Sequence, residues 1–321
     1  MTTIVGIDLG TTHTVVATAE VESGDIRVLP IPQLVSRGTV EPRDLLPSVL
    51  YAPATAEVLV DPFADPPWVE GELARARAAE IPGRAVLSAK SWLSHAGVDR
   101  TAAILPWGSS DEIADLPRIS PVDASARYLA RVKRALSDAK ISADSIVLTV
   151  PASFDETARE LTLQAATSAG LSVRLLEEPQ AAFYDVMRRI GDEGLASLLD
   201  RTAGEARILV CDVGGGTTDL SLLRVSRDPE LHVERVAVGR HLLLGGDNMD
   251  LALAARIEDR FGQKLDATRF SQLVASSRNA KELLLGSNPP PSVPIRLLGS
   301  GARLVGATLS SELSQEDVDQ L

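Results

Sequence analysis

Two short stretches, about two hundred residues apart, constrain this chain more than anything else in it. The first is Ile4-Val5-Gly6-Ile7-Asp8-Leu9-Gly10-Thr11-Thr12. The second is Ile208-Leu209-Val210-Cys211-Asp212-Val213-Gly214-Gly215-Gly216-Thr217-Thr218-Asp219. Each runs from apolar residues through an Asp and one more apolar residue into Gly and Thr. A second apolar run follows, with Val15, Val16 and Ala17 in one case and Leu220, Leu222 and Leu223 in the other. That order predicts strand, tight turn, strand. Used twice, it predicts two copies of one structural unit facing each other across a site.

The turns also predict chemistry. Glycine lets a backbone take φ > 0 and approach a ligand closely, so Gly10-Thr11-Thr12 and Gly214-Gly215-Gly216-Thr217 can present N–H groups and hydroxyls to anionic oxygens. Asp8 and Asp212 fall at the strand ends just before the turns. Mg²⁺ favours a few carboxylates together with phosphates and water, so the pair suits a polyphosphate with its Mg²⁺. Other nucleotide motifs fail. Gly301 to Thr308 has Walker-A spacing, but Ala307 stands where the Lys must be. No G-x-G-x-x-G opens a helix, which excludes a Rossmann reading.

Composition sets outer bounds. The 321 residues are 45% hydrophobic, enough for two domains with sizeable cores. The net charge is −12 and no basic stripe occurs, which argues against a nucleic-acid binder. The single cysteine, Cys211, lies in an apolar run and is expected to be a buried strand thiol. It can form no disulfide within the chain, in keeping with a reducing compartment. The four histidines are scattered, without metal-ligand spacing, which disfavours structural zinc. The first residues enter a strand without the layout of a signal peptide. No apolar stretch approaches the ~20 residues of a membrane span. A cytoplasmic protein with no membrane partner is expected.

Along the chain, residues 1 to about 35 read as short strands. A loop-rich stretch from about 36 to 115, broken at Asp61-Pro62, Asp65-Pro66-Pro67 and Ile81-Pro82-Gly83, looks like an inserted subdomain. Ser120-Pro121-Val122-Asp123 opens an amphipathic helix to about Ala139. Ser145–Val150 is a strand. A capping box of Ser153 and Glu156 starts the next helix, which Gly170 closes. Leu171–Leu176 is a strand, Glu178-Pro179 punctuates, and Gln180–Ile190 is helical. This alternation is that of an α/β unit. After the strand at Ile208, helices are predicted over Asn248–Phe261 and Arg269–Leu285. A strand over Pro294–Leu298, a turn at Gly299–Gly301, a strand near Ala307 and the first helical turns over Ser311–Leu321 complete the pattern.

The pair of loops resembles those of the actin-like ATPase superfamily. Four further stretches make the chain similar to the nucleotide-binding domain of the DnaK-type 70-kDa heat-shock chaperones. They are Leu148-Thr149-Val150-Pro151-Ala152 with Phe154 and Arg159; Leu176-Glu177-Glu178-Pro179-Gln180-Ala181-Ala182; Leu244-Gly245-Gly246-Asp247-Asn248-Met249-Asp250; and Ala280-Lys281-Glu282-Leu283. They follow the family's order over nearly the whole chain. The resemblance implies an α/β, actin-like ATPase fold of two duplicated, ribonuclease-H-like lobes around a nucleotide cleft. Residues 1–180 would form lobe I and 181–321 a lobe II that is incomplete, with about 239–321 its outer subdomain.

It also implies roles for individual residues. Asp8 and Asp212 match water-mediated Mg²⁺ partners. Gly10, Thr11, Thr12, His13, Gly214, Gly215, Gly216 and Thr217 match positions around the phosphates. Lys90 matches the catalytic lysine, Glu178 the carboxylate that orients the attacking water, and Asp219 a further acidic residue of the site. Asp212 and Thr217 also belong to the catalytic set. Gly245, Gly246 and Lys281 match positions around the sugar and base. The implied activity is slow hydrolysis of ATP to ADP, coupled by a domain motion to peptide capture. Implied partners are a J-domain co-chaperone, a nucleotide-exchange factor and unfolded client peptides.

The sequence departs from the family at His13, at Arg278 and Leu285 around Lys281, and at Ser153, Leu163 and Glu177. Pro151, Arg159 and Arg174 match coupling positions. The family's last nucleotide-binding segment and its peptide-binding domain are not among these residues, so a fragment of a longer protein is expected, with an apolar surface that favours self-association. A divergent non-hydrolysing scaffold and an actin-like filament ATPase stand as alternatives.

Overall fold

The computed structural model describes residues 2–63, 66–107, 115–202, 204–227, 230–239, 242, 244–297 and 308–321. The first predicted hairpin forms as β1 (Thr3–Leu9) and β2 (His13–Glu20), antiparallel from Thr3↔Glu20 to Leu9↔Thr14. β3 (Ile26–Val28) pairs with β2. β4 (Ile31–Ser36) and β5 (Thr39–Arg43) make a separate hairpin, and β6 (Leu46–Pro47) returns to β2. β7 (Leu50–Tyr51), β8 (Val69–Glu70) and, after α1 (Glu72–Glu80), β9 (Ala85–Val86) form a small sheet. α2 (Ala89–Trp92) follows, one turn long.

The α/β alternation then sets in. α3 (Pro121–Asp138) starts at Ser120, whose hydroxyl accepts from the Asp123 amide. β10 (Ser145–Val150) joins β1 in parallel. After α4 (Glu156–Ser168), β11 (Arg174–Glu177) joins β10 in parallel. The sheet order is β11-β10-β1-β2-β3, with β6 also on β2. Val5, Ile7, Leu9, Leu148 and Val150 pack with Val122, Leu129, Val132, Ala158 and Ala165 in the largest core.

α5 (Glu178–Asp200) passes to a second sheet, β12 (Glu205–Val213), β13 (Thr218–Arg227) and β14 (Leu231–Val238), all antiparallel. Phe183, Leu195 and Leu199 of α5 cover one face of it, against Ala206, Leu223 and Val225. α6 (Gly246–Phe261) and α7 (Ala267–Leu284) pack with the hairpin of β15 (Ser292–Leu297) and β16 (Leu309–Ser314) in a further core, and α8 (Gln315–Asp319) follows.

Several expectations need correction. The cap of α4 is Asp155, whose carboxylate accepts from the Ala158 amide, and not a box of Ser153 and Glu156. Asp caps as well as Ser does, and it stands one residue before the first helical one. α5 begins at Glu178 itself, because Pro179 is well suited to a first helical turn. It runs on to Asp200 across a break at Gly191, where φ is +67°. β11 starts at Arg174 rather than at Leu171. The stretch from Ser311 continues β16 to Ser314 before turning helical. Within the loop-rich region from 36 to 115 the ordered elements include α1, α2 and short strands. Cys211 is exposed. Among the described residues β12 has one neighbour, β13, and the face that carries Leu209, Cys211 and Val213 has no helix over it. The turn at 299–301, Ala307 and all but the last residue of the Walker-like stretch lie outside the described residues.

Candidate functional site

The two hairpin turns close in the same way. The Gly10 amide donates to the His13 carbonyl at 2.9 Å, and the Gly214 amide donates to the Thr217 carbonyl at 2.8 Å. Thr11-Thr12 and Gly215-Gly216 are therefore the tips of equivalent turns. At Gly10 a Cβ would stand 2.3 Å from the His13 carbonyl oxygen, so only glycine fits. The tips touch: a Cβ on Gly215 would meet the Thr12 hydroxyl at 2.1 Å.

Around them lies a cleft of about 500 Å³. Asp8, Gly10, Thr11, Thr12 and His13 border it from β1 and β2, and Asp212, Gly214, Gly215, Thr217 and Asp219 from β12 and β13. Lys90 enters from α2 and Glu178 from the first turn of α5. Sequence separation is no guide to that last meeting: the Lys90 ammonium donates to Glu178 Oε1 at 2.5 Å, across 88 residues. Both side chains are largely buried.

The cleft is acidic. Burial raises the Asp212 carboxyl above its ordinary range, and Asp219 and Asp8 push it further, against Lys90. Burial likewise raises Glu178, with Lys90 opposing and Asp8 and Asp212 adding to the rise. Crowded carboxylates of this kind favour a cation among them. His13 is pushed down to about 4 by burial first, then by Arg75 and Arg278.

Other predicted residues sit behind the second turn, outside the cleft lining. The backbone of Gly245 packs directly on this turn, where a Cβ would lie 2.5 Å from the carbonyl oxygens of Gly214 and Gly215. The Gly246 and Asp247 amides, at the start of α6, donate to those same carbonyls at 3.1 and 2.7 Å. Lys281 is buried and donates to the Gly246 carbonyl at 3.0 Å, with Asp250 Oδ1 2.6 Å away. Arg278 pairs with Asp250 at 2.6 Å and also with Asp247. Leu285 is exposed. Gly216 faces Asp247 and Thr11.

Sequence reasoning missed Ser48 and the role of Thr149. The Ser48 hydroxyl donates to the Gly10 carbonyl at 2.8 Å and its amide to the Thr12 carbonyl at 2.9 Å, which fixes the first turn. The Thr149 hydroxyl donates to Asp8 Oδ1 at 2.8 Å. Thr149 stood in a quoted motif, but Ser48 carries no local signal. Its partner lies 38 residues earlier.

Two sheets that present matching Gly/Thr hairpins to one cleft define the actin-like ATPase fold. A family model described as Hsp70 protein matches residues 107–288. A chaperone protein HscA homolog of Pseudomonas aeruginosa (strain PAO1) is 34% identical over 332 residues, covering 99% of this chain and 46% of that protein. The HscA homolog of Methylococcus capsulatus is 35% identical over 97% of this chain and 46% of its own length. HscA of Proteus mirabilis is 35% identical over 86% and 41%. The chain belongs to the Hsp70 family and corresponds to its nucleotide-binding domain. It spans less than half the length of these curated relatives.

Proposed function

We propose that the chain binds ATP or ADP with Mg²⁺ in this cleft and hydrolyses ATP slowly, as the timing element of an Hsp70-type chaperone. The observation that carries this reading is the contact of two equivalent Gly/Thr turns beside a buried Lys90–Glu178 pair and three aspartates. Bound Mg²⁺ would offset charge on the phosphoryl oxygens. Asp8 and Asp212 would hold it through water. Their mutual repulsion suits a cation. The amides and hydroxyls at Thr11, Thr12, Gly215 and Thr217 border the cleft and suit phosphate oxygens. Lys90 would add positive charge at the transferring group, and Glu178 would align the attacking water, a role that needs no strong base.

Residues 1–180 and 181–321 serve as two lobes in this reading, with 36–115 an insertion and about 239–321 an outer subdomain. The separate cores of the two sheets support the division. A J-domain co-chaperone, an exchange factor and client peptides would engage the longer protein. A cytoplasmic site of action is part of the proposal. No helix among the described residues is long and apolar enough to cross a membrane.

One observation favours a second reading, a scaffold that does not hydrolyse: Arg278 and Lys281 are both engaged with Asp250 where the nucleoside is expected. Calorimetric titration of ATP and ADP, with Mg²⁺, separates the two. Binding that weakens at least ~10-fold in Asp212→Ala, with single-turnover hydrolysis lost in Lys90→Ala, supports the ATPase. Binding without hydrolysis, or no binding even by a chain extended by about a hundred residues, supports the scaffold and sinks the ATPase reading, whereas binding by the extended chain alone keeps it.

A further inference from the structure

A guanidinium of the second sheet reaches across to the first at the base of the cleft. Arg235 lies on β14, and its Nη1 donates to the Ala152 carbonyl at 2.8 Å. Its Nε stands 3.0 Å from Glu177 Oε2. The other oxygen of Glu177 accepts from Arg159 Nη2 of α4 at 2.7 Å. Glu177 thus lies between two arginines, one from α4 and one from β14, with its side chain only 14% exposed.

Local structure aims Arg235 there. The ladder of β13 and β14 slips by one residue between Leu222 and Leu223, so that Leu222 pairs with Ala237 and Leu223 with Arg235. Val236 is the extra residue. Before the bulge, Leu223 pairs with Arg235 and Val225 with Val233, so Arg235, two residues from Val233, lies on the face that packs toward α5. α5 begins at Glu178, the residue after Glu177.

Both segments that Arg235 holds border the cleft. Ala152 follows Pro151 and precedes Phe154 by two residues, and those two line the cleft. Glu177 stands at the N-cap position of the helix whose first residue pairs with Lys90. Arg235 itself does not line the cleft. An exposed ion pair contributes little to stability, so a surface bridge alone would be unremarked. Here a fork joins a carboxylate and a carbonyl in two neighbouring chain segments, which a point charge cannot do equally well.

We propose that Arg235 is a positioning residue for hydrolysis: it ties the second sheet to the strand end that carries Glu178, so that closure of the cleft sets Glu178 in place. This rests on the ATPase reading above. Small displacements of an aligning group cost rate far more than affinity. Single-turnover hydrolysis and calorimetry on the chain and on R235Q, R235K and E177Q test it. R235Q should slow hydrolysis about 10-fold, with ATP affinity within about 2-fold and an unchanged melting temperature. R235K should recover part of the rate. E177Q should behave like R235Q, and the double variant should lose little more than either one. R235Q or E177Q hydrolysing at the parent rate overturns the proposal, as does a loss of rate matched by a loss of affinity. Should the parent chain neither bind nor hydrolyse ATP, the same variants are compared in a chain extended by about a hundred residues, and failure of the extended parent removes the ATPase reading and this inference with it. A parent that hydrolyses alongside an equally fast R235Q removes this inference alone.

Discussion

The hairpins β1–β2 and β12–β13 carry one kind of turn in two different settings. In the first, Val5, Ile7 and Leu9 are at most 2% exposed, and helices and further strands enclose them. In the second, Leu209 is 64% exposed and Val213 66%. Yet both turns close with the same amide-to-carbonyl bond. Turn geometry follows from the local Asp, Gly and Thr pattern, while burial follows from what packs on the sheet. The same short sequence therefore predicts its conformation well and its environment poorly.

Stability should divide along this line. Ile7→Ala removes a fully buried side chain, and the chain should lose about 2–5 kcal/mol. Leu209→Ala trims a side chain that water already reaches, and should change stability by no more than about 0.5 kcal/mol. Urea unfolding followed by circular dichroism measures both. Equal losses would show that the outward face of β12 is covered in solution, for instance by self-association.

The turns themselves differ in one position that looks equivalent in sequence. Gly10 and Gly214 each donate the closing bond, but the space beside them is not the same. A Cβ at Gly10 meets the His13 carbonyl at 2.3 Å, and backbone cannot step aside cheaply. At Gly214 the nearest atom is the Thr217 carbonyl at 3.5 Å, an ordinary contact. Gly10→Ala should cost about 1–3 kcal/mol and weaken nucleotide binding. Gly214→Ala should stay within about 1 kcal/mol, with part of any gain coming from a less flexible unfolded chain. Thermal unfolding of the two variants side by side checks this, and a severe Gly214→Ala would mean that the two turns are tighter copies than the structure shows.

Much of this molecule was legible in its sequence, and the failures share a cause. The paired hairpins, the helix opened by Ser120 and the strand Ser145–Val150 all follow from local signals of period, cap and turn. Lys90 and Glu178 needed the family resemblance, because nothing in the residues around Lys90 marks it off from a surface lysine. Ser48 was invisible because a serine in a loop gains meaning only from the turn it holds. Cys211 reads as buried from the apolar run around it, yet its face of β12 is open. In each case the missing information was a tertiary neighbour, which no window of sequence contains.

A difference that only pH reveals concerns the residues that accept the closing bonds. His13 does so in the first turn and Thr217, which cannot titrate near neutrality, in the second. Burial, aided by Arg75 of α1 and Arg278 of α7, pushes His13 from its ordinary 6.5 down to about 4. The unfolded chain therefore binds a proton that the folded chain refuses between those values. By linkage, stability should fall as pH drops from 6.5 towards 4, level off below 4, and show no contribution from this residue above 6.5. His13→Asn keeps the carbonyl and removes the proton site. Melting temperatures of the two proteins should run parallel above pH 7, and as pH falls the parent chain should drop more steeply than the variant. Curves that stay parallel down to pH 4 would show that water reaches His13 and that the first turn is as indifferent to protons as the second.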